Sequence, residues 1–350
     1  GTTDMSKTFT DPEDMKKAIY SFADNLRDAM AIGQQVSLTS TYTKIENVIV
    51  AGMGGSAIGG DVNRMLLRDE IKVPIYVSRN YHVPVWANTR TLVIASSYSG
   101  GTEETLSALA DALTKGCQIC GITTGGALLD VLQKNNCDAV LIPTGLQPRA
   151  ALAYSFVPML YLLMGIGLVD SDIEKKLKKT ADLLESLRDN YSKADDENGT
   201  WSLAKSVHGT IPIIYGETDS TAVVALRWRG QFCENGKMLA FHNELPELNH
   251  NEIVGWGNNP ELFNHLSIIW LKDKSDHERV SVRQDVTGAI LDNVTKSQYE
   301  VAVGGGSRFE RLLHLIHYGD WVSLWCAYLH DTDPSPVEKI SNLKDQLSRK

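Results

Sequence analysis

The sequence predicts an α/β protein with two lobes, each a mostly parallel β-sheet flanked by helices. The first observation is that short β-branched runs alternate with helix-like segments, a pattern typical of parallel sheets covered on both faces. The second is that this alternation starts again after the polar stretch 195–199. With 350 residues available, we expect an N-terminal domain over residues 1–194 and a C-terminal domain over residues 195–350.

The N-terminal elements follow from hydrophobic periodicity and helix-start signals. Asp11 and Pro12 indicate a helix start, and segment 11–40 is helical in pattern. Strands are then predicted over 46–51, 73–78, 91–96, 117–122 and 139–143, with helices over 56–68, 103–115, 126–135, 150–167 and 172–193. The apolar stretch 150–169 contains Pro158 and two glycines, which favours a buried helix over a membrane span.

The C-terminal elements alternate in the same way. Strands are predicted over 211–215, 267–271 and 298–302, with helices over 201–207, 220–233, 275–287 and 307–329. Between them, residues 233–256 hold four glutamates and two histidines without helical periodicity. We interpret this segment as a long polar loop, and such loops in compact domains are more often functional than idle.

Composition excludes several classes of function. A net charge of −9 and a pI near 5.5 argue against a nucleic-acid or anionic-membrane surface. The five cysteines are an odd number without disulfide spacing, so we expect a reducing compartment, the cytoplasm. Cys117 and Cys120 form a lone CxxC in a strand-like run, where residues three apart point to opposite faces, which argues against a redox or metal role.

Two loops of glycine and hydroxyl residues each follow a predicted strand and precede a helix. They are Gly52–Ser56 and Ser96–Thr102. Free backbone N–H groups at a helix N-terminus attract anions, and hydroxyls can donate to phosphate oxygens. Ligands of parallel sheets bind beyond the carboxyl ends of the strands. The two loops together therefore predict a site for a phosphorylated small molecule.

A dinucleotide site is the alternative for the first loop, because Gly52–Ala57 also fits the GxGxxA pattern. That pattern requires an acidic residue at the end of the next strand to hold a ribose. The strand here ends at Ser78 and is followed by Arg79 instead of an acidic residue, so NADP is the only dinucleotide that still fits the pattern. A dinucleotide fold has no need of the second hydroxyl loop, so a compact phosphate explains both loops better.

Polar residues elsewhere supply candidates for chemistry. Arg149 begins a strongly apolar helix, either as a cation aimed at the ligand or as a salt-bridged cap. Glu234 and His250 in the polar segment could supply a base and an acid, although residue type alone does not assign either role. His314 and His317 share one helix face among apolar neighbours, which favours structural histidines over metal ligands.

These motifs resemble the bifunctional phosphoglucose/phosphomannose isomerase family, a branch of the sugar-isomerase (SIS) fold group, over nearly the whole chain. The resemblance rests on six motifs: Gly52–Gly60, Ser97–Thr105, Glu234–Lys237, Pro246–Gly255, Pro148–Ala151 and Ile340–Lys344. The first two alone would indicate only an SIS domain, whereas Glu234–Lys237 together with Pro246–Gly255 is much more specific.

The resemblance implies an isomerase that moves a proton between C1 and C2 of a hexose 6-phosphate through a cis-enediol, without a metal or redox cofactor. It implies catalytic roles for Glu234 as base, His250 in ring opening, Arg149 at the enediolate and Lys344 as the C-terminal lysine. It also implies a homodimer in which His250 reaches the neighbouring subunit's site. The 6-phosphate would be held by Gly55, Ser56, Ser97, Ser99 and Thr102.

The sequence departs from the family at two positions. Gly101 stands where many relatives have asparagine, and Val337 stands where some have a threonine associated with the second substrate. Activity on glucose 6-phosphate is therefore the firmer prediction, and activity on mannose 6-phosphate is the second. Lys339 is the alternative to Lys344 as the C-terminal lysine of the active site. The alternatives are a catalytically silent SIS module that senses a sugar phosphate, and an NADP-dependent oxidoreductase.

Overall fold

The computed structural model describes residues 8–350; residues 1–7 of the predicted N-terminal domain lie outside this range. Contacts divide the chain into two compact units. The five-strand unit comprises Ser21–Glu185 and Gly305–Glu310. The four-strand unit comprises residues 8–20, Ser186–Gly304 and Arg311–Lys350.

Each unit contains one parallel sheet. The strands are β1 (Asn47–Ala51), β2 (Ile75–Ser78), β3 (Thr91–Ser97), β4 (Gln118–Thr123), β5 (Asp138–Leu141), β6 (Ile211–Glu217), β7 (Phe241–Leu245), β8 (Leu266–Leu271) and β9 (Gln298–Val301). Their order is β2-β1-β3-β4-β5 in one sheet and β7-β6-β8-β9 in the other, with every neighbouring pair parallel. The predicted α/β class with two mostly parallel sheets is confirmed, and four strands of each sheet follow the same order.

Helices precede, connect and follow the strands. They are α1 (Met15–Tyr20), α2 (Phe22–Gln34), α3 (Gly54–Leu66), α4 (Glu103–Thr114), α5 (Gly126–Lys134), α6 (Leu152–Ile166), α7 (Ile173–Tyr191), α8 (Gly199–Val207), α9 (Thr221–Glu234), α10 (Glu278–Leu291), α11 (Arg308–Leu329) and α12 (Glu338–Ser348). Most lie within a few residues of the predicted bounds.

The core of the five-strand unit is built around α6. Residues 152–163 of this helix are all buried, and α2 and α3 pack against it. Glycine allows the close approach of α3, because a Cβ at Gly59 would lie 2.0 Å from Ser155 Oγ on α6. The predicted buried helix is thus confirmed, and none of the helices within residues 8–350 is long and apolar enough to cross a membrane.

The N-terminal segment differs from the single helical stretch predicted over 11–40. The Asp11 carboxylate accepts the Met15 N–H at 2.8 Å, as expected for a helix start, but the helical segment ends at Gln34. Beyond it, Asp138 on β5 accepts the N–H groups of Thr39 and Ser40 at 2.8 and 3.1 Å. These bonds hold the chain in a non-helical path that local periodicity did not indicate.

The polar segment 233–256 also differs from the predicted loop. It contains edge strand β7 and two short 3-10 turns, Glu247–His250 and Glu252–Gly255. All but the last residue of β7 are at least partly exposed, since the strand has a neighbour on one side only. Edge strands tolerate polar residues, so the strand lacks the apolar pattern by which its buried neighbours were found.

Candidate active site

The two hydroxyl-rich loops lie side by side at the carboxyl edge of the five-strand sheet. They follow β1 and β3, which are neighbours in register. A Cβ placed on Gly52 would lie 3.1 Å from the Ser96 carbonyl oxygen, so the loops are in contact. The sequence predicted this juxtaposition, because parallel neighbouring strands bring their loops to one edge.

The first loop ends at the N-terminus of α3, whose first N–H groups have no partners within the helix. Ser56 in the first turn is half-buried. The loop is packed closely against the 3-10 turn Pro148–Ala150, because a Cβ on Gly55 would lie 2.8 Å from the Pro148 carbonyl oxygen. This contact brings the turn that contains Arg149 to the N-terminus of α3.

The second loop is shaped by its own hydroxyl groups. Ser97 Oγ lies 2.8 Å from Thr102 Oγ1 and accepts the Gly100 N–H at 3.0 Å. The Ser99 hydroxyl accepts the Gly101 N–H at 3.2 Å. Ser97 is only 2% exposed, whereas Ser99 is exposed and Thr102 is half-buried. Ser99 and Thr102 are thus accessible to a ligand, and Ser97 organises the loop.

The two arginines singled out in this unit have different surroundings. Arg149 is 3% exposed and lies beside the first loop. Arg79 donates to Asp61, a buried carboxylate that also accepts from Arg64 at 3.3 Å. The cation on which an NADP site would depend is therefore engaged in an ion pair.

Glu234 is the last residue of α9 in the four-strand unit, and it lines a cavity of about 630 Å³. The other walls come from the α9–β7 turn and from the C-terminal segment, including Lys237, Val337 and Lys339. Glu234 is half-buried, so its carboxylate borders a space large enough for a small ligand.

Buried polar contacts fix α9 against α11. Arg227 donates to both carboxylate oxygens of Asp320 at 3.2 Å, and Gln231 donates to one of them at 3.0 Å. Asn235, next to Glu234, donates to Ser323 at 3.0 Å. Burial raises the pKa of Asp320, an effect that the Arg227 guanidinium opposes. These contacts place the end of α9 on a rigid support.

His250 lies in an exposed position on an anchored loop. On one side Asn249 donates to Thr287 at 2.9 Å and accepts from Arg283 at 3.3 Å, both on α10. On the other side Glu252 accepts from Tyr215 and, at 3.2 Å, from Asn243. Glu252 therefore has a structural role, and His250 between the two anchors is exposed.

The structure does not bring all the predicted catalytic residues of this unit together. Within residues 8–350, no hydrogen bond or ion pair joins His250 to Glu234, and His250 is not among the residues that line the cavity. Lys344 is exposed on α12, a helix without buried residues, whereas Lys339 in the first turn lines the cavity beside Glu234.

The paired histidines of α11 are buried, with hydrogen bonds inside the four-strand unit. His314 lies 2.6 Å from Tyr191 Oη and 2.8 Å from the Gly304 carbonyl oxygen, and His317 accepts from Trp321 at 3.1 Å. Burial lowers the pKa of both histidines, that of His317 to about 3. They are structural, as predicted. Within the described range no cluster of His, Cys, Asp or Glu is arranged to hold a metal ion.

Sequence reasoning missed a carboxylate cluster where β6 and β8 end. Glu217, Asp273 and Asp276 meet there, and Asp276 Oδ1 accepts from Ser220 at 2.6 Å. Burial, followed by the charges of Glu217 and Asp273, raises the pKa of Asp276 to about 6, although the Ser220 bond opposes this. The signal available in the sequence was position, because these carboxylates directly follow the predicted strands 211–215 and 267–271, as the hydroxyl loops follow theirs.

Two parallel sheets in this order, with paired hydroxyl loops at one carboxyl edge, define an SIS-type α/β protein. The C-terminal domain of glucosamine-fructose-6-phosphate aminotransferase from Francisella tularensis has the same fold, with a TM-score of 0.69 and 15% identity over 92% of this chain and 98% of that one. A family model described as the bacterial phospho-glucose isomerase C-terminal SIS domain matches residues 196–347.

Full-length relatives narrow the class further. The chain is 41% identical to a bifunctional phosphoglucose/phosphomannose isomerase from Caldicellulosiruptor bescii, over 95% of this chain and 99% of the relative. It is 34% identical to the enzyme of that name from Aquifex aeolicus, over 89% and 93%. The chain belongs to the bifunctional phosphoglucose/phosphomannose isomerase family, and it is an isomerase.

Proposed function

We propose that this isomerase interconverts glucose 6-phosphate, and also mannose 6-phosphate, with fructose 6-phosphate through a cis-enediol. The observation that carries the proposal is the position of Glu234, half-buried at the end of a rigidly supported helix and facing a cavity. Glucose and mannose phosphates differ only at C2 and share one enediol, so a single carboxylate beside C1 and C2 serves both substrates.

The hydroxyl loops of the five-strand unit hold the 6-phosphate in this proposal. Ser56, Ser99 and Thr102 donate hydroxyl hydrogen bonds, and Gly55 lets the start of α3 approach the anion. Ser97 keeps the second loop in shape through its bond with Thr102. Binding energy from the phosphate, remote from the reacting carbons, orients C1 and C2 for proton transfer.

Glu234 removes a proton from C2 of the aldose and returns it to C1, and the reverse reaction uses the same path. Negative charge then develops on the enediolate oxygen. Arg149 stabilises that charge in our proposal, because a buried guanidinium keeps its proton and is already oriented by the packed turn around it.

Lys344 is the proposed C-terminal lysine of the active site, with Lys339 as its competitor. Lys339 lines the cavity beside Glu234, while Lys344 lies more than one turn further along α12. Alanine substitution at each position separates them. Substitution of the lysine that contributes to catalysis should lower kcat by at least about tenfold, as expected for loss of a charge-assisted hydrogen bond.

His250 opens the sugar ring in our proposal, and it does so in the neighbouring subunit of a homodimer. Two observations support an interface on this side of the four-strand unit: His250 is exposed, and α10 presents an exposed stripe of Val282, Val286 and Ile290. The same helix anchors the His250 loop through Arg283. Imidazole suits a proton transfer near neutral pH.

Hybrid dimers test the shared site. Refolded mixtures of Glu234→Gln and His250→Ala chains should regain about a quarter of wild-type activity, because half of the dimers contain one intact pair of residues. Each variant alone should remain inactive or nearly so. If the mixed chains form dimers normally but recover no activity, both residues act within one subunit and the shared site is refuted.

The first experiment is a coupled assay for fructose 6-phosphate formed from glucose 6-phosphate and, separately, from mannose 6-phosphate. Turnover of both supports the full proposal, and turnover of glucose 6-phosphate alone assigns the restriction to Val337. Glu234→Gln should keep KM within about twofold and lower kcat by roughly 10²–10⁴. Glu261→Gln, an exposed glutamate of the same unit, is the matched control. Sugar-phosphate binding without turnover in the wild type would instead indicate a sensor.

The proposed location is the cytoplasm. All five cysteines are free, and Cys117 and Cys120 of the CxxC are half-buried and buried, respectively. Unpaired thiols persist best in a reducing compartment.

A further inference from the structure

The turn that follows α9 brings a lysine back onto the end of its own helix. Lys237 has a φ of +52°, a left-handed backbone conformation that is costly for a residue with a side chain. Its amine donates to the Glu234 carbonyl oxygen and, at 2.8 Å, to the Pro334 carbonyl oxygen. A cation at a helix C-terminus is favourable, because the helix dipole is negative there.

The second of these bonds connects two walls of the cavity. Pro334 belongs to the segment 330–337 between α11 and α12, and it is buried together with Ser335. α12 follows directly and has no buried residue. The position of this helix therefore depends on the segment before it, whose described contacts include the bond from Lys237.

We infer that Lys237 is a positioning residue for the isomerase reaction: it fastens the C-terminal segment to the end of α9 and so holds the start of α12 at the cavity that Glu234 lines. Lys237 touches main-chain oxygens in this role and acts through the segment that it holds. The inference rests on the proposed function in one respect, that the base is Glu234 and that a lysine of α12 assists it.

The test uses the full chain with Lys237→Met, which keeps the unbranched side chain and the same backbone requirement but cannot donate. Native-state trypsin cleavage after Lys339, followed by mass spectrometry, reports whether the start of α12 is released. Loss of a charge-assisted hydrogen bond should increase the cleavage rate about tenfold. The kcat should fall by a similar factor, and KM should stay within about twofold because the phosphate loops are unchanged.

Lys237→Arg should restore both readouts, because a guanidinium can donate to two carbonyl oxygens. Lys193→Met, at an exposed lysine of the same unit, should change neither. If Lys237→Met does not fold, Lys237→Gln, which keeps one donor group without the charge, takes its place, with a smaller change of both readouts in the same direction.

Unchanged cleavage in Lys237→Met would overturn the inference, whatever the activity. Faster cleavage with unchanged kcat would also overturn it, since the segment would then be released without any effect on the reaction. Failure of the proposed function has a different signature, because Glu234→Gln would then retain activity while Lys237→Met still released the segment.

Discussion

Asp276 should make the four-strand unit less stable above pH 6, and Asp276→Asn should remove that penalty. Burial and two neighbouring carboxylates raise the pKa of Asp276 from 3.8 to about 6. Its Oδ2 atom is buried, and it has no hydrogen-bond partner among the described residues. An amide nitrogen at that atom would offer a donor toward Glu217 and Asp273, while the Ser220 hydroxyl could still donate to the other oxygen.

The magnitude follows from linkage between protonation and folding. A pKa change from 3.8 to about 6 corresponds to roughly 3 kcal/mol at ~1.4 kcal/mol per pH unit, which residual solvent screening reduces to about 1–2 kcal/mol. The folded state binds the proton more tightly than the unfolded state. The stabilisation by protonated Asp276 is therefore complete below pH 3.8, and it is lost as the pH rises through about 6.

Calorimetry of wild type and Asp276→Asn between pH 4 and pH 8 measures this effect. The gain in the variant should grow between pH 4 and pH 6, level off above pH 7, and reach about 2–6 °C in the Tm of the four-strand unit. Asp292→Asn, an exposed aspartate of the same unit, should show no such dependence. A variant whose difference from wild type is independent of pH, or which is less stable at pH 8 than at pH 4 relative to wild type, would refute the reasoning.

Three further predictions follow from packing and from the proposed chemistry. Gly55→Ala should raise KM for the hexose 6-phosphate about tenfold, because the new methyl would lie 2.8 Å from a backbone oxygen in the turn of Arg149. Gly101→Ala, with open space around the new methyl, is the control and should leave KM within about twofold. Asp320→Ala should lower the free energy of unfolding by about 3–5 kcal/mol because it removes the carboxylate that two nitrogens of the buried Arg227 guanidinium contact, whereas Asp345→Ala should cost below about 1 kcal/mol in denaturant titrations. Dialysis against a chelator should leave turnover unchanged, and loss of turnover that added metal restores would contradict the metal-free mechanism.

The sequence predicted best the elements whose signals are local. β1 and β3 are buried β-branched runs, and the hydroxyl loops after them have the predicted contact. β7 was missed because an edge strand can be polar. The start of α10 was placed three residues too early, since the His277 side chain accepts the Arg279 N–H at 3.0 Å and begins the helix there.

Features made by residues far apart in the chain were not predictable in this way. The approach of Pro148 to Gly55 and the bond from Lys237 to Pro334 join segments more than ninety residues apart. Nothing in the local sequence around Gly55 or Lys237 indicates which distant residue it meets. Local patterns identify candidates for the active site, and tertiary packing determines which of them border the same space.

Four strands of each sheet follow the same order, but the residues that follow their central strands differ in chemistry. Where one copy ends its central strands in hydroxyls and helix N-termini, the other ends them in Glu217, Asp273 and Asp276. Arg311 pairs with Asp273 at 2.8 Å, which leaves an excess of negative charge that disfavours a phosphate at the equivalent place. In the proposed function, the five-strand unit therefore holds the phosphate at its strand ends, and the four-strand unit contributes Glu234 and His250 from outside the corresponding strand ends.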